Sequence, residues 1–159
     1  MTIDDMLARE AIRQTMVNYN LAGDRLRTDD FVAAFTEDGI LESEGVPEAD
    51  AFRYVGHAEL RQWMDRWTRG GEIEKPRTTP ASFIRHHLST SQIELTGRDS
   101  ARARTYWVAY TDIGPDHCGH YIDSFRKVED SWLIAHRRVR LDWRSADSLY
   151  MNAVKRTNA

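Results

Sequence analysis

The sequence lacks several features that would assign it to a common functional class. Its 159 residues include one cysteine, Cys118, which excludes an internal disulfide and fits a reducing compartment. It has no glycine-rich phosphate loop and no G-x-S-x-G motif of serine hydrolases. No apolar run approaches the roughly 18 residues of a membrane span. The opening MTIDDMLARE is acidic where a signal peptide carries basic residues. We therefore predict a cytoplasmic protein.

The charge balance excludes two classes of partner. The formal net charge is −3, and no block of basic residues is present to bind nucleic acid or an anionic membrane. Hydrophobic residues make up 41% of the chain and charged residues 30%, as in a globular protein. The length fits one domain over residues 1–159. We place its core at about 8–143 and a polar tail at 145–159.

Three segments predict helices. The first has apolar residues at three- and four-residue steps, with Thr2 as its cap and Gly23 as its end; they are Ile3, Met6, Leu7, Ile12, Met16 and Tyr19. A short second helix is capped by Thr28, and a third spans Gly56–Trp67. Between them we expect a turn at 36–39, a strand at 40–44 and a loop at 45–55.

The second half of the chain predicts a curved sheet. Four strands, at about 81–95, 100–112, 117–128 and 131–143, are separated by short turns and so form an antiparallel meander. The polar stretch at 70–80 predicts a mobile loop at a pocket mouth or an interface. The fold class is therefore α+β, with a strongly curved antiparallel sheet covered by three N-terminal helices. Such a sheet leaves a cavity beneath the helices.

The order of these elements, together with three segments, resembles a known family. The segments are YNLAGDRLRTDDFVAAFTEDGILE, RHHLSTSQIEL and GHYIDSFRKVEDSWLIAHRRVRLDW. They resemble the SnoaL-like branch of the nuclear transport factor 2-like superfamily, which includes scytalone dehydratase and the hexachlorocyclohexane dehydrochlorinase. The resemblance runs from about Ala8 to Trp143 and implies a cone-shaped α+β barrel.

The resemblance also implies a catalytic pair. Asp24, at the end of the first helix, and His86, on the strand after the third helix, are expected to face each other, with His87 on the opposite face. Gly119 and Tyr121 are expected to contribute to the pocket. The dehydratase has a second catalytic histidine where this chain has Tyr110 and Thr111, so its complete apparatus is absent. A scheme with one aspartate and one histidine remains open.

An imidazole held by a carboxylate is a general base that needs neither metal nor cofactor. It removes a proton next to an activating group, and departure of a leaving group then makes the reaction that of a lyase. Return of the proton elsewhere makes it that of an isomerase. The phenols of Tyr19, Tyr110 and Tyr121 are candidates to hold a substrate oxygen or to donate a proton.

Two further substrate-binding candidates have ordinary structural alternatives: His57 as a helix-start residue, and Arg138 as part of a polar outer face or a dimer contact. His57 follows Gly56 at the start of the third helix, which the resemblance places near the pocket mouth. Arg138 on the last strand is a candidate partner for an anionic group or a developing oxyanion. His117 and His120 flank Cys118, but no second cysteine or ordered ligand cluster completes a metal site.

These observations predict a cofactor-independent lyase. The resemblance implies a hydrophobic small-molecule substrate, a hydroxylated aromatic or polycyclic compound of catabolic or secondary metabolism, and a pocket lined by some of the five tryptophans would suit it. Water or a small carbon fragment is the expected leaving group. The alternatives are an isomerase with the same dyad and a non-catalytic role, either as a ligand-binding module or as a scaffold like an oxygenase small subunit. We expect a homodimer, with a homotrimer as the alternative.

Overall fold

A computed structural model describes residues 2–46, 48, 51–68 and 81–149. These residues form three helices, all in the N-terminal half, and six strands. The elements are α1 (Ile3–Asp24), α2 (Thr28–Ala33), β1 (Phe35–Glu44), β2 (Arg53–Val55), α3 (Gly56–Thr68), β3 (Arg85–Leu95), β4 (Ser100–Thr111), β5 (Gly114–Val128) and β6 (Ser131–Arg144). The predicted mobile loop at 70–80 lies outside the described residues.

Both ends of α1 follow from local chemistry. The Thr2 hydroxyl accepts the backbone N–H of Asp5, and the Asp5 carboxylate accepts that of Thr2, so the predicted cap is confirmed as a capping box. The predicted end at Gly23 is one residue early, because the helix continues through Asp24. Leu26, with φ of 54°, then turns the chain away. Asp24 is therefore fixed on the last helical turn.

The two shorter helices begin close to their predicted positions. Thr28 is the first helical residue of α2 and does not cap it, and Arg27 at the N-cap makes no side-chain capping bond. The apolar faces of α2 and α3 pack together, with the rings of Phe31 and Trp63 centred 5.3 Å apart. Leu60 and Met64 of α3 are fully buried. Burying these faces is what stabilises such short helices.

The strands form one sheet in the order β2-β1-β6-β5-β4-β3. The antiparallel meander over β3 to β6 is confirmed. The expectation of a wholly antiparallel sheet is wrong at one pair, since β1 lies parallel to β6. These two strands are far apart in sequence, so no turn between them could indicate their pairing. The segment predicted as a loop at 45–55 contains β2, the edge strand beside β1.

The predicted turn at 36–39 is a local irregularity within β1. Phe35 pairs with Ile134 and Ile40 pairs with His136, so four residues of β1 bulge out opposite one of β6. Gly39 allows this close approach, since a Cβ there would lie 2.9 Å from the Phe35 Cβ. The turn residues interrupt the ladder, but pairing resumes on both sides.

Irregular pairing also bends the meander. The register shifts between β3 and β4, between β4 and β5, and twice between β5 and β6, and such bulges bend a sheet. The sheet curves around the helices to give the predicted cone-shaped α+β fold. It is not a closed barrel, because β2 and β3 are unpaired edges among the described strands. No helix in the described part of the chain is long and apolar enough to cross a membrane.

Candidate active site

A cavity of about 370 Å³ lies between the helices and the concave face of the sheet. Its lining is mostly apolar and aromatic, including Phe31, Leu41, Phe52, Trp63 and Trp107. This volume and lining are typical of a site for one small organic molecule. The few polar side chains in the lining therefore decide what chemistry the cavity can support.

Asp24 and His86 meet at the edge of this cavity. Oδ1 of Asp24 lies 2.6 Å from Nδ1 of the His86 ring, and Oδ2 accepts the backbone N–H of His86 at 2.9 Å. The Asp24 side chain is 6% exposed and that of His86 is 22% exposed. Since an ionised carboxylate can only accept, Nδ1 carries the ring proton, and Nε2 of the neutral ring is the basic nitrogen. The last turn of α1 thus orients a base on β3.

The structure adds a second histidine that the sequence analysis did not place in the pocket. His117 on β5 lines the cavity, and its Nδ1 lies 2.7 Å from Oδ1 of Asp116. Its ring is centred 6.2 Å from that of His86, and Trp107 contacts both rings. The signal was available, because His117 lies four residues before Tyr121 on one strand and so shares its face.

The partner of His117 is held by four hydrogen bonds. Asp116 is fully buried and accepts from the Thr111 hydroxyl, the Ser148 hydroxyl, the Leu149 N–H and the His117 ring. Burial raises the pKa of Asp116, but these bonds outweigh it and hold that pKa below its usual value. Burial lowers the pKa of His117, and Asp116 offsets only part of this effect. The His117 imidazole is therefore neutral at neutral pH.

Two of the predicted tyrosines line the cavity. Tyr19 and Tyr121 are buried, and the guanidinium of Arg137 lies between their rings, 4.1 and 4.0 Å from the two centroids. Arg137 is held by two hydrogen bonds, of 2.9 and 2.6 Å, to the carboxylate of Asp123. Burial raises the pKa of Tyr121 well above its usual value. Its phenol therefore keeps its proton and can act as a donor.

The other strand candidates lie away from the cavity lining. Tyr110 is 37% exposed and packs against His87, because Trp107 and Ala109 of the same strand face inward and side chains alternate. Arg138 is partly exposed and forms an ion pair with Glu44 at 3.0 Å. Neither Tyr110 nor Arg138 lines the cavity.

Gly119 and His57 have structural roles outside the cavity lining. A Cβ on Gly119 would lie 1.9 Å from the Arg140 carbonyl oxygen, so this glycine permits the close approach of β5 and β6. Nε2 of His57 lies 3.0 Å from the Phe35 carbonyl oxygen, which ties the start of α3 to β1. Neither residue contributes to the cavity lining.

Comparison with known families identifies the chain. A family model described as SnoaL-like domain matches residues 4–138. The chain belongs to the SnoaL-like domain family. This match confirms the resemblance that the order of its motifs indicated.

Solved structures with the same fold carry both enzyme and subunit names. The SnoaL-like chain is 22% identical to a "Putative Scytalone Dehydratase" from Novosphingobium aromaticivorans, with 91% of each chain covered and a TM-score of 0.71. It is 13% identical to a hexachlorocyclohexane dehydrochlorinase from Novosphingobium barchaimii, covering 90% and 92%, with a TM-score of 0.69.

A third structure is the beta subunit of a "putative aromatic-ring-hydroxylating dioxygenase" from Novosphingobium aromaticivorans. The identity is 18%, with 89% of this chain and 93% of that chain covered and a TM-score of 0.70. A search of curated proteins found no significant match. At these identities the likeness shows a shared fold, and the chemistry has to be argued from the site itself.

The SnoaL-like site combines acid–base groups with a mostly apolar wall. Two imidazoles, each oriented by a carboxylate, and two buried phenols line the same cavity. No group of three His, Cys, Asp or Glu side chains in the described ranges is placed to hold a metal ion. The residues present can accept a proton, return it, and bind oxygen atoms of a ligand.

Proposed function

We propose that this SnoaL-like protein is a cofactor-independent lyase in which His86 removes a proton from carbon. Asp24 orients the ring and stabilises the imidazolium that forms. The substrate is a hydroxylated aromatic or polycyclic compound that loses water or a small carbon fragment. The observation that carries this proposal is the contact between Asp24 and His86 at the edge of an apolar cavity. Both carboxylate oxygens of Asp24 accept from His86, one from the ring and one from the backbone N–H.

Loss of water illustrates how the groups would act. Nε2 of His86 takes a proton from a carbon next to an activating group such as a carbonyl. The electrons of that C–H bond form a double bond as the neighbouring C–O bond breaks. The imidazolium then gives its proton to the departing oxygen, water leaves, and the neutral base is restored. The phenol of Tyr121, which burial keeps protonated, donates a hydrogen bond to a substrate oxygen.

The size and chemistry of the cavity support the substrate class. A volume of about 370 Å³ accommodates a compound of one to two fused rings. Trp63 and Trp107 offer flat apolar surface on which such rings can stack. The names of two proteins of similar fold, a dehydratase and a dehydrochlorinase, describe eliminations as well.

Two other functions are compatible with parts of the site. The same dyad would make the protein an isomerase if the proton returned to a different carbon. A scaffold role is suggested by the dioxygenase beta subunit of similar fold. The cavity with its oriented base favours a reaction over a scaffold role. A cavity lowers the free energy of unfolding, so a protein that served only as a scaffold would be more stable with a filled core.

A β-hydroxy ketone provides the direct test. We expect the wild-type protein to convert 3-hydroxy-1-tetralone to 1-naphthol, or to exchange the proton beside the carbonyl in D₂O, measured by mass spectrometry. His86→Gln should lower either rate by about 10²-fold or more. His87→Gln is the matched control, since that neighbouring ring is exposed and packs on Tyr110 outside the cavity. Equal rates in wild type and His86→Gln would refute the proposed base.

A further inference from the structure

Arg144 is a cationic residue of the cavity wall that has no role in the proposed elimination. It is the last residue of β6, it pairs with His117 across the strands, and its side chain lines the cavity. It is partly buried. Within the described ranges, no carboxylate lies within ion-pair distance of its guanidinium.

The other arginines of β6 differ in this respect. Arg137 pairs with buried Asp123, Arg138 pairs with Glu44, and Arg140 lies near both Glu44 and Asp142. A carboxylate from β1, β5 or β6 thus lies beside each of these three arginines. The arginine at the cavity is the exception.

Among the described residues that line the cavity, none offers Arg144 a free counter-ion. Asp24 is the only acidic residue among the described lining residues, and both of its oxygens are occupied by His86. His117, opposite Arg144 on β5, is neutral for the reasons given above and adds no negative charge. A guanidinium beside an apolar cavity is most stable when a carboxylate or similar anion binds it, because such hydrogen bonds are charge-assisted.

We propose that Arg144 binds an anionic group of the ligand, so that the preferred ligand is an aromatic or polycyclic acid. The rings occupy the apolar cavity and the anionic group lies at the β6 end, beside the guanidinium. This inference rests on the proposed function only in treating the cavity as the substrate site. It adds a charge requirement that the Asp24–His86 dyad does not impose.

Matched pairs of anionic and neutral probes test this requirement by calorimetry. The pairs are benzoate with benzyl alcohol and 2-naphthoate with 2-naphthalenemethanol. For at least one pair, we expect the wild-type protein to bind the acid about tenfold more tightly than the alcohol. This factor is at the low end for a charge-assisted hydrogen bond, because the contact is partly solvated. Arg144→Gln should remove this preference. The control Arg140→Gln, four residues earlier on the same strand with an exposed side chain, should retain it.

Two outcomes would overturn the inference. One is a wild-type protein that binds neither acid more tightly than its alcohol, including the case in which no acid binds. The other is a preference for the acid that survives in Arg144→Gln. The inference and the lyase proposal fail separately, because His86→Gln should keep the preference for acids while it loses turnover.

Discussion

Replacing Asp24 with asparagine preserves the shape of the side chain while removing its charge and one of its two acceptors. In the wild-type protein both oxygens accept from His86, one from the ring and one from the backbone N–H. Asparagine has a single acceptor, and its amide nitrogen can only donate. The backbone N–H cannot change its protonation, whereas the ring can shift its proton between its two nitrogens.

The expected result is a change of tautomer. When the asparagine oxygen accepts the backbone N–H, its NH₂ group faces Nδ1, which must then be unprotonated. The ring proton moves to Nε2, and the nitrogen that acted as the base is lost. By analogy with other carboxylate-oriented histidines, turnover should fall by about 10² to 10⁴-fold. The free energy of unfolding should fall by about 1.5 kcal/mol, the low end for a charged hydrogen bond, because His86 is partly exposed.

Nitrogen-15 NMR of the histidine rings measures this tautomer without any substrate. We expect His86 to carry its proton on Nδ1 in the wild-type protein and on Nε2 in Asp24→Asn. Urea unfolding of both proteins gives the change in stability. Asp29→Asn is the matched control, since that carboxylate lies on the surface and pairs with Arg61. An unchanged His86 tautomer together with unchanged turnover would refute the orienting role of Asp24.

Two further predictions concern stability. The folded-state pKa of His117 is lowered by burial, so the unfolded chain binds this proton more readily and stability should decline as pH falls through about 6.5. The urea midpoint should therefore be lower at pH 5.5 than at pH 7.5, and a His117→Gln variant with an equal decline would contradict this origin. Gly119→Ala should lower the free energy of unfolding by at least about 2 kcal/mol, because the new Cβ would clash with the Arg140 carbonyl. Gly97→Ala is the control, because the atom nearest its new Cβ is the Ser100 hydroxyl, which can move. A similar loss of stability in both variants on thermal unfolding would refute the steric argument.

Much of the fold could be predicted because it depends on short-range signals. The capping box at Thr2 and the meander of β3 to β6 arise from residues close together in sequence. The parallel pairing of β1 with β6 could not be predicted in this way, since only the packed molecule brings these strands together. The residues 36–39 were predicted as a turn that precedes the strand, but β1 already begins at Phe35, because pairing on both sides of that segment depends on the same distant partner.

For the site, the order of the elements and the family resemblance indicated an acidic residue at the end of α1 facing a histidine near the start of β3. That these two side chains meet is a property of the tertiary structure, which packs α1 across the concave face of the sheet. The oligomeric state and the cytoplasmic location stay predictions from the sequence.

The sequence by itself determined which chemistry was available: carboxylates, imidazoles and phenols without a metal-binding pattern, on an amphipathic α+β plan. The tertiary structure decided which of these groups share one cavity. It brought in His117 and Arg144, and it directed Tyr110 and Arg138 outward. The physical reason is that side chains alternate along a strand, so the bulges and register shifts that bend the sheet determine which residues line the cavity.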